Sequence, residues 1–387
     1  MKKLILCIFL ISISAYANPT MSQKSYNILM EAQKNIEENK IREATILLNQ
    51  LLEEKNTYAK SYAYQYLANI SLQEGDYKTT KEYYANIVKL NALEKERIDQ
   101  IKLSLSKIYL SLEEYDNSIK LSSELLNDSK IVKKDIYETF IFAYYYTQKF
   151  KKSIHYSHKY ILLSKEKKEN IYQILYSSYI ELKDYKNAIV TLNVMTREWY
   201  NKENYWLQLT SLYQETKQYK KALSTIELSY KKNVLNPKKH TRFYVNLLFQ
   251  NDLYQKASLV LESALQKKEI KEDKKIFELL VSSYVNAKEF DKAIKKISSS
   301  KFRKDKKYKK ILANLHYAKH DYKSTIKVLS SKKNTKKLDP ESHILLALSY
   351  FELNNIEKTT EHLKKLYHTK KKKRAIQIAK ALRIDII

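Results

Sequence analysis

A small residue recurs ten times along this chain of 387 residues, each time 32 to 38 positions after the last. The ten positions are Ala44, Thr80, Ser118, Ser153, Ala188, Ala222, Ala257, Ala293, Thr325 and Thr359. In eight units an aromatic residue stands three positions earlier, and Ile41 and Ile356 take that place in the other two. A period of this size is typical of stacked structural repeats. The chain is therefore predicted to form one elongated array, which presents a long surface and does not enclose a reaction.

Each unit shows two apolar stripes with helical spacing. In the sixth unit Trp206, Leu209 and Tyr213 follow one another at steps of three and four, and a second stripe runs from Tyr219 through Ala222. The pattern predicts a helix–turn–helix hairpin whose helices cross closely at the small residue, where a larger side chain would separate them. The residues predicted to pack the repeats are Ala44, Tyr77, Tyr115, Tyr185, Ala188, Tyr219, Ala222, Tyr254, Ala257 and Ala293.

The predicted turn lies five residues before each small residue. Asn39, Gly75, Asp252 and Asn354 hold this place in four units, and these residue types tolerate a left-handed backbone best. Three other units carry lysine there: Lys183, Lys217 and Lys288. Lysine at this position indicates either local strain or a different turn.

Composition disfavours catalysis. A single glycine and three prolines fit an all-α chain and leave no material for a glycine-rich phosphate loop or a G-x-S-x-G nucleophile turn. The histidine pairs His316 with His320 and His155 with His158 have metal-like spacing, but no third and fourth ligands accompany them. We therefore predict no enzyme activity, no metal and no cofactor.

The first residues have the pattern of a secretory signal peptide. Lys2 and Lys3 precede an apolar run over 4–13, and Ala15-Tyr16-Ala17 supplies an A-x-A cleavage site. Cleavage after Ala17 predicts a periplasmic protein with no cysteine, since Cys7 is removed, and no transmembrane segment. An uncleaved membrane anchor is the alternative.

The formal net charge is +29. For an exported protein this charge disfavours nucleic acid as a partner and favours anionic lipid head groups, wall polymers or acidic proteins. Basic runs cluster in the C-terminal third, over 304–310, 332–337 and 370–374. Charge runs of this kind are commonly solvated surface, and a coding bias toward lysine would also produce them.

The repeat pattern resembles the tetratricopeptide repeat (TPR) family, whose spacing is matched by Trp206, Leu209, Tyr213, Tyr219, Ala222 and Ile226. The resemblance implies an all-α, right-handed α-solenoid of about ten repeats. With the signal peptide at 1–17, this leaves a short linker at 18–24, the solenoid at 25–367 and a basic C-terminal capping helix at 368–387. Asp339-Pro340 reads as an N-cap followed by proline at the first helical position of the tenth unit.

In that family the first helix of each hairpin lines a concave groove. The resemblance therefore implies these groove residues: Gln65, Asn69, Lys107, Tyr145, Gln173, Ser177, Arg242, Asn246, Ser282, Lys310 and Asn314. Lys310 with Asn314, and Arg242 with Asn246, match the start of the clamp with which some relatives bind a peptide C-terminal carboxylate. The next unit offers leucine where that clamp needs asparagine, so an ordinary polar wall is the alternative.

Several segments also resemble exported TPR proteins encoded beside the energy-transduction components TonB, ExbB and ExbD. They are 62–72 with Gly75-Asp76-Tyr77, 205–209 with Leu212-Tyr213, 256–262 and 345–350. This resemblance implies a periplasmic scaffold that binds a protein or peptide and assists outer-membrane transport. The alternatives are a factor that docks on anionic lipids or wall polymers and a regulatory subunit of an envelope assembly complex.

Overall fold

The computed structural model describes residues 21–330, 338–367 and 369–386, and the described part divides into two compact units after Tyr200. The predicted signal peptide, including Cys7, and the basic run 332–337 lie outside the described residues. Throughout the described ranges the regular structure is helical, with no β-strand. The predicted all-α repeat fold is confirmed.

The described residues of the first unit, 21–200, form five helix hairpins, and in each of them the helix nearer the N-terminus is called the first helix. Their bounds are α1 (Gln23–Glu37) with α2 (Ile41–Leu52), α3 (Thr57–Gln73) with α4 (Tyr77–Leu90), α5 (Lys95–Ser111) with α6 (Tyr115–Asp128), α7 (Lys133–Tyr146) with α8 (Phe150–Leu163), and α9 (Glu169–Glu181) with α10 (Tyr185–Glu198). Within this unit α2, α4, α6 and α8 each pack against the first helix of the next hairpin, so the five hairpins stack in chain order.

The part of the second unit that the structure describes forms five more hairpins and a terminal helix. Their bounds are α11 (Glu203–Glu215) with α12 (Tyr219–Lys231), α13 (Pro237–Gln250) with α14 (Tyr254–Gln266), α15 (Lys274–Asn286) with α16 (Phe290–Ser299), α17 (Lys306–Ala318) with α18 (Tyr322–Leu329), α19 (Pro340–Glu352) with α20 (Ile356–Lys364), and last α21 (Lys372–Ala381). A short 3-10 helix, Lys301–Lys304, precedes α17. Ala375 and Ala379 of α21 are buried with Leu363 and Leu366, so the predicted C-terminal helix covers the last hairpin.

All ten small residues have no exposed surface. The hydroxyl-bearing ones show how closely the two helices cross: Ser118 Oγ donates to the carbonyl oxygen of Ser106 at 2.8 Å, and Ser153 Oγ to that of Ile141 at 2.9 Å. Contact between a side chain of the second helix and the backbone of the first leaves no room for a larger group.

The ten hairpin turns share one backbone geometry. The residue five before each small residue has a positive φ in every unit: Asn39, Gly75, Glu113, Gln148, Lys183, Lys217, Asp252, Lys288, His320 and Asn354. At Lys183 the N–H donates to the carbonyl oxygen of Ile180 at 2.9 Å, and the following N–H, of Asp184, reaches back to Tyr179 at 2.8 Å. This is the Schellman ending of a helix. The lysine units therefore use the same turn as the others and accept the backbone strain.

The aromatic residue that opens each second helix packs across this turn. Tyr254 meets Phe249 edge-on with ring centroids 5.2 Å apart, and Tyr322 meets Tyr317 in the same way at 5.5 Å. Most of these aromatic rings are half-buried, and Tyr219 is 45% exposed. These rings pack against the outer side of the turn and do not fill the core between the two helices.

In the first unit, first helices of consecutive hairpins touch one another, α1 with α3, α5 with α7, and α7 with α9. No pair of second helices among the described residues of this unit makes comparable contact. Helices that lie closer on one side of a stack bend it toward that side. The first helices therefore form the inner face of the unit, which is where a groove is expected.

Candidate functional site

The turn residue with positive φ gives each first helix a common numbering. Ten of the eleven predicted groove residues fall on two positions. The inner position, six residues before the turn residue, holds Asn69, Lys107, Ser177, Asn246, Ser282 and Asn314. The bridging position, ten residues before it, holds Gln65, Gln173, Arg242 and Lys310.

Side chains at the inner position are open to solvent. Lys107, Asn246, Ser282 and Asn314 are exposed, while Asn69 and Ser177 are half-buried. The amides, hydroxyls and ammonium at this position supply hydrogen-bond donors and acceptors. Such a wall suits the backbone of an extended peptide.

Side chains at the bridging position join one hairpin to the next. Gln65 is buried, and its Oε1 accepts hydrogen bonds from Nε and Nη2 of Arg97 at 3.1 and 2.9 Å. The Arg97 guanidinium also lies over the Tyr62 ring, 4.6 Å from its centroid, and donates to its hydroxyl at 3.1 Å. Arg97 opens the helix that follows, so this cluster fixes the spacing of hairpins two and three.

Ion pairs take over this function in the second unit. Arg242 pairs with Asp273 at the start of the next first helix, and Lys310 Nζ donates to Asp339 Oδ1 at 3.0 Å. In the hairpin between these two, the charges are reversed: Glu278 of α15 is the acidic partner and accepts a hydrogen bond from Lys307 of α17 at 2.8 Å. At the bridging position Gln65, Arg242, Glu278 and Lys310 thus join successive hairpins, whereas most side chains at the inner position are exposed.

Hydrogen bonding keeps these carboxylates ionised. The backbone N–H of Ile276, followed by Arg242, lowers the pKa of Asp273. Burial opposes ionisation of Asp339, but hydrogen bonds from Lys310 and Ser342 lower its pKa overall. Burial raises the pKa of Tyr66 to about 12, so its hydroxyl stays a neutral donor to Gln33. At neutral pH, therefore, Asp273 and Asp339 are ionised and the Tyr66 hydroxyl is neutral.

The cation of the carboxylate clamp is already paired with a carboxylate of this chain in both candidate places. Lys310 is held by Asp339, and the Nδ2 of Asn314 donates to the carbonyl oxygen of Lys310 at 2.8 Å. The chain's own carboxylate therefore stands where a peptide carboxylate would bind. Arg242 is paired in the same way with Asp273, while Asn246 is exposed.

Tyr145 occupies a different place from the other ten predicted residues. It lies three residues before the turn residue Gln148, where its ring packs edge-on against Phe150 and Tyr146 at 5.8 and 5.5 Å. The inner position of that hairpin holds Phe142, which is half-buried. Tyr145 therefore packs at the turn, as Phe249 and Tyr317 do in their hairpins.

The histidines make local contacts. His316 Nδ1 lies 3.1 Å from Asp321 Oδ2, and His158 Nε2 lies 2.7 Å from the Tyr179 hydroxyl. Across the described ranges, no three His, Cys, Asp or Glu side chains come together as metal ligands would. Within those same ranges no helix has the length and apolar character needed to span a bilayer.

The chain matches no family model and no curated protein. Among solved structures, it is 14% identical to a tetratricopeptide repeat protein from Parabacteroides merdae, with a TM-score of 0.41, over 68% of this chain and 99% of that one. It is 12% identical to a chain of the Naa15/Naa10 complex bound to HypK-THB, with a TM-score of 0.44, over 89% of this chain and 58% of that one. These structures are similar to the present chain at the level of helical repeats.

Sequence reasoning missed the ladder of pairs between hairpins. Partners in it are separated by about one repeat, as in Lys81 with Glu114, Lys168 with Glu138, and Lys256 with Glu227. Opposite charges one period apart are therefore the signal that would have revealed it. The bridging position would then have been read as structural.

Proposed function

We propose that this protein is a non-enzymatic scaffold that binds an extended segment of a partner protein along the first-helix face. The observation that carries the proposal is the inner position, where polar side chains recur at one place in successive hairpins and point to solvent. Repeated stacking of this kind ordinarily presents a surface for proteins and does not enclose a reaction. The guest would be held by hydrogen bonds spread over several hairpins.

Site-specific photocrosslinking tests this proposal. A benzophenone amino acid at Asn246 or Ser282 should form an adduct with a discrete partner in cells. The matched control is Ser224, which is exposed on the second helix α12 of the same unit. Equal crosslinking from all three positions, or none from the inner ones, would contradict a groove on the first-helix face.

For its location we propose the periplasm, supported by the lysine pair, apolar run and A-x-A pattern of the first 17 residues. Mass spectrometry of the purified protein should find a mature chain that begins at Asn18. Retention of Met1 in the envelope fraction would instead favour the membrane anchor.

An accessory function in TonB-dependent transport is supported by the resemblance to exported TPR proteins encoded beside these components. Its test is co-purification with ExbB, ExbD or TonB from detergent-solubilised envelopes, compared between the wild type and an Asn246→Asp, Ser282→Asp variant. Recovery that is equal for both proteins would place any such contact outside the inner position.

A further inference from the structure

We propose that one edge of the second unit is a docking surface for a bilayer that carries anionic head groups. This edge, the basic edge, consists of the N-terminal ends of α13, α15, α17 and α21 with the 3-10 helix before α17. Its cations are Lys238, Lys239, Lys274, Lys275, Lys301, Arg303, Lys304, Lys306, Lys307, Lys372, Lys373 and Arg374, and all of them are exposed. The proposal concerns a different surface from the inner position and does not depend on which guest binds there.

Direct contacts show that these helix ends lie side by side. Arg242 of α13 reaches Asp273 at the start of α15, and Lys307 at the start of α17 reaches back to Glu278 of α15 at 2.8 Å. The contacts continue from Lys310 to Asp339 at the start of α19, at 3.0 Å. Beyond it, Lys371 before α21 lies 2.5 Å from Glu341 of α19. The cations therefore follow one continuous edge and are not scattered around the unit.

The acidic residues of this edge are largely engaged by other cations. Asp273 pairs with Arg242, Asp339 with Lys310, and Glu341 with Lys371, and the hydrogen bonds from Lys371 and Lys310 lower the pKa of Glu341 and Asp339. Asp305, at the start of α17, also lies here. Because Asp273, Asp339 and Glu341 are each balanced by another cation, Lys274, Lys275 and Lys306 add positive charge to the surface, which Asp305 reduces by one.

The placement of these cations does not serve helix stability. A helix N-terminus carries a partial positive charge, which favours acidic side chains in the first turn and disfavours basic ones. The first turns of α13, α15, α17 and α21 contain no acidic residue. In the first unit the corresponding turns of α5, α7 and α9 contain Glu96, Asp135 and Glu169. Four helices of the second unit therefore begin with basic residues and no acidic residue in the first turn, whereas α11 and α19 of the same unit carry Glu203 and Glu341 there.

A bilayer fits this charge better than a compact anionic ligand does. The cations are mostly lysines, which act as point charges, whereas recognition of a single phosphate favours the bidentate fork of arginine. They extend along several hairpins and do not converge on one point. The aromatic rings nearest the edge, Phe302 and Tyr308, pack on Phe277 and offer no stacking platform for bases.

Vesicle co-sedimentation of the full chain tests the proposal. Wild-type protein should bind vesicles of phosphatidylcholine with phosphatidylglycerol, should not bind phosphatidylcholine alone, and should be released by added salt. The edge variant Lys274→Gln, Lys275→Gln, Lys306→Gln should bind about a hundredfold more weakly, from about fivefold for each lysine near an anionic membrane.

The matched control removes the same number of positive charges, but at the opposite end of the hairpins. Lys217→Gln, Lys220→Gln, Lys288→Gln removes three exposed lysines at the turns, and it should keep nearly wild-type binding. An equal loss in both variants would overturn the proposal, because binding would then follow net charge alone. Equal binding to both kinds of vesicle would also overturn it.

Two further readouts separate the outcomes. Tighter binding to heparin than to anionic vesicles at the same ionic strength would overturn the bilayer in favour of a soluble polyanion. Photocrosslinking from Asn246 in the edge variant should be unchanged, so that loss of membrane binding and loss of the groove partner are distinguished. Circular dichroism should show the same helical signal for all three proteins.

Discussion

Two buried imidazoles in the last hairpin should make its stability fall as the pH is lowered. His343 and His362 are 9% and 8% exposed, and their Nδ1 atoms lie 3.0 Å apart. One ring must donate and the other accept, so the pair can keep this bond only while at least one imidazole is neutral. The His362 ring also stacks on Tyr350, with 5.6 Å between centroids.

Charges near the pair add to the effect of burial. Burial, followed by His343 and Lys365, lowers the pKa of His362 to about 4, and burial with Lys365 lowers the pKa of His343. The negative charge of Glu361 raises the pKa of both histidines, and that of Asp339 raises the pKa of His343. The positive charge of Lys358 lowers the pKa of His362 further. In the unfolded chain a histidine titrates near 6.5. Because the native value lies below this, the unfolded state takes up the proton first.

The stability that depends on neutral His362 is therefore complete above about pH 6.5 and declines as the pH falls toward 4. From the shift of His362, the loss is about 2 kcal/mol at about pH 5 and about 3 kcal/mol at about pH 4. The loss should appear as local opening of α19–α21, since repeats unfold segment by segment.

Hydrogen exchange of the α20 amides, corrected for intrinsic rates, measures this opening. His362→Phe keeps a ring against Tyr350 and removes the titration of His362, so its exchange should depend less on pH than that of the wild type, with the remaining dependence due to His343. The variant also loses the hydrogen bond and starts less protected. His155→Gln, at an exposed histidine in α8, should behave as the wild type does. Constant protection of wild-type α20 between pH 7 and pH 5, or an unchanged slope in His362→Phe, would refute the reasoning.

Four further experiments test the repeat itself. Lys217→Gly should stabilise its hairpin by about 1 kcal/mol, since glycine removes the left-handed strain, whereas Lys217→Ala should be neutral; thermal melts followed by circular dichroism compare them. In the same assay Gly75→Ala should cost about 1 kcal/mol from the backbone alone, because an added Cβ would meet no atom within 4 Å. Ala222→Leu should lower the melting temperature through an overpacking cost of about 1–3 kcal/mol, whereas Ser224→Leu should not. A double-mutant cycle on Lys310→Met and Asp339→Asn should give a coupling of about 0.5 kcal/mol that disappears in high salt, and a coupling that persists there would contradict a solvent-screened pair.

The hairpins were predictable because their determinants are local. A small residue at the crossing and helical apolar spacing are visible within one unit and repeat ten times, and an aromatic stands three positions before the small residue in eight of the ten. The terminal helix was also visible, from the spacing of Ala375 and Ala379. Helix α1 begins at Gln23, two residues before the start that the sequence suggested, because the Ser22 side chain caps it.

The candidate site was less predictable because it depends on contacts between units. Gln65 and Arg242 have the residue types of a groove wall, yet their partners Arg97 and Asp273 stand about one repeat later. At Lys183 the sequence was compatible with two turn geometries. A left-handed backbone is less favourable for lysine than for glycine, but lysine can adopt it. Which surface residues meet a partner depends on that partner, and no pattern within the chain encodes it.

The bridging pairs also determine how each stack responds to force. Neighbouring hairpins share apolar contacts across their faces, but the rim of each joint is closed by partly solvated charges such as Lys168 with Glu138. Apolar contacts resist separation and tolerate small sliding, while solvated charges re-form after they part. When one stack is stretched or bent, each joint between consecutive hairpins should therefore open slightly and close again. Because salt screens the charges, the stack should become more compliant as the ionic strength rises.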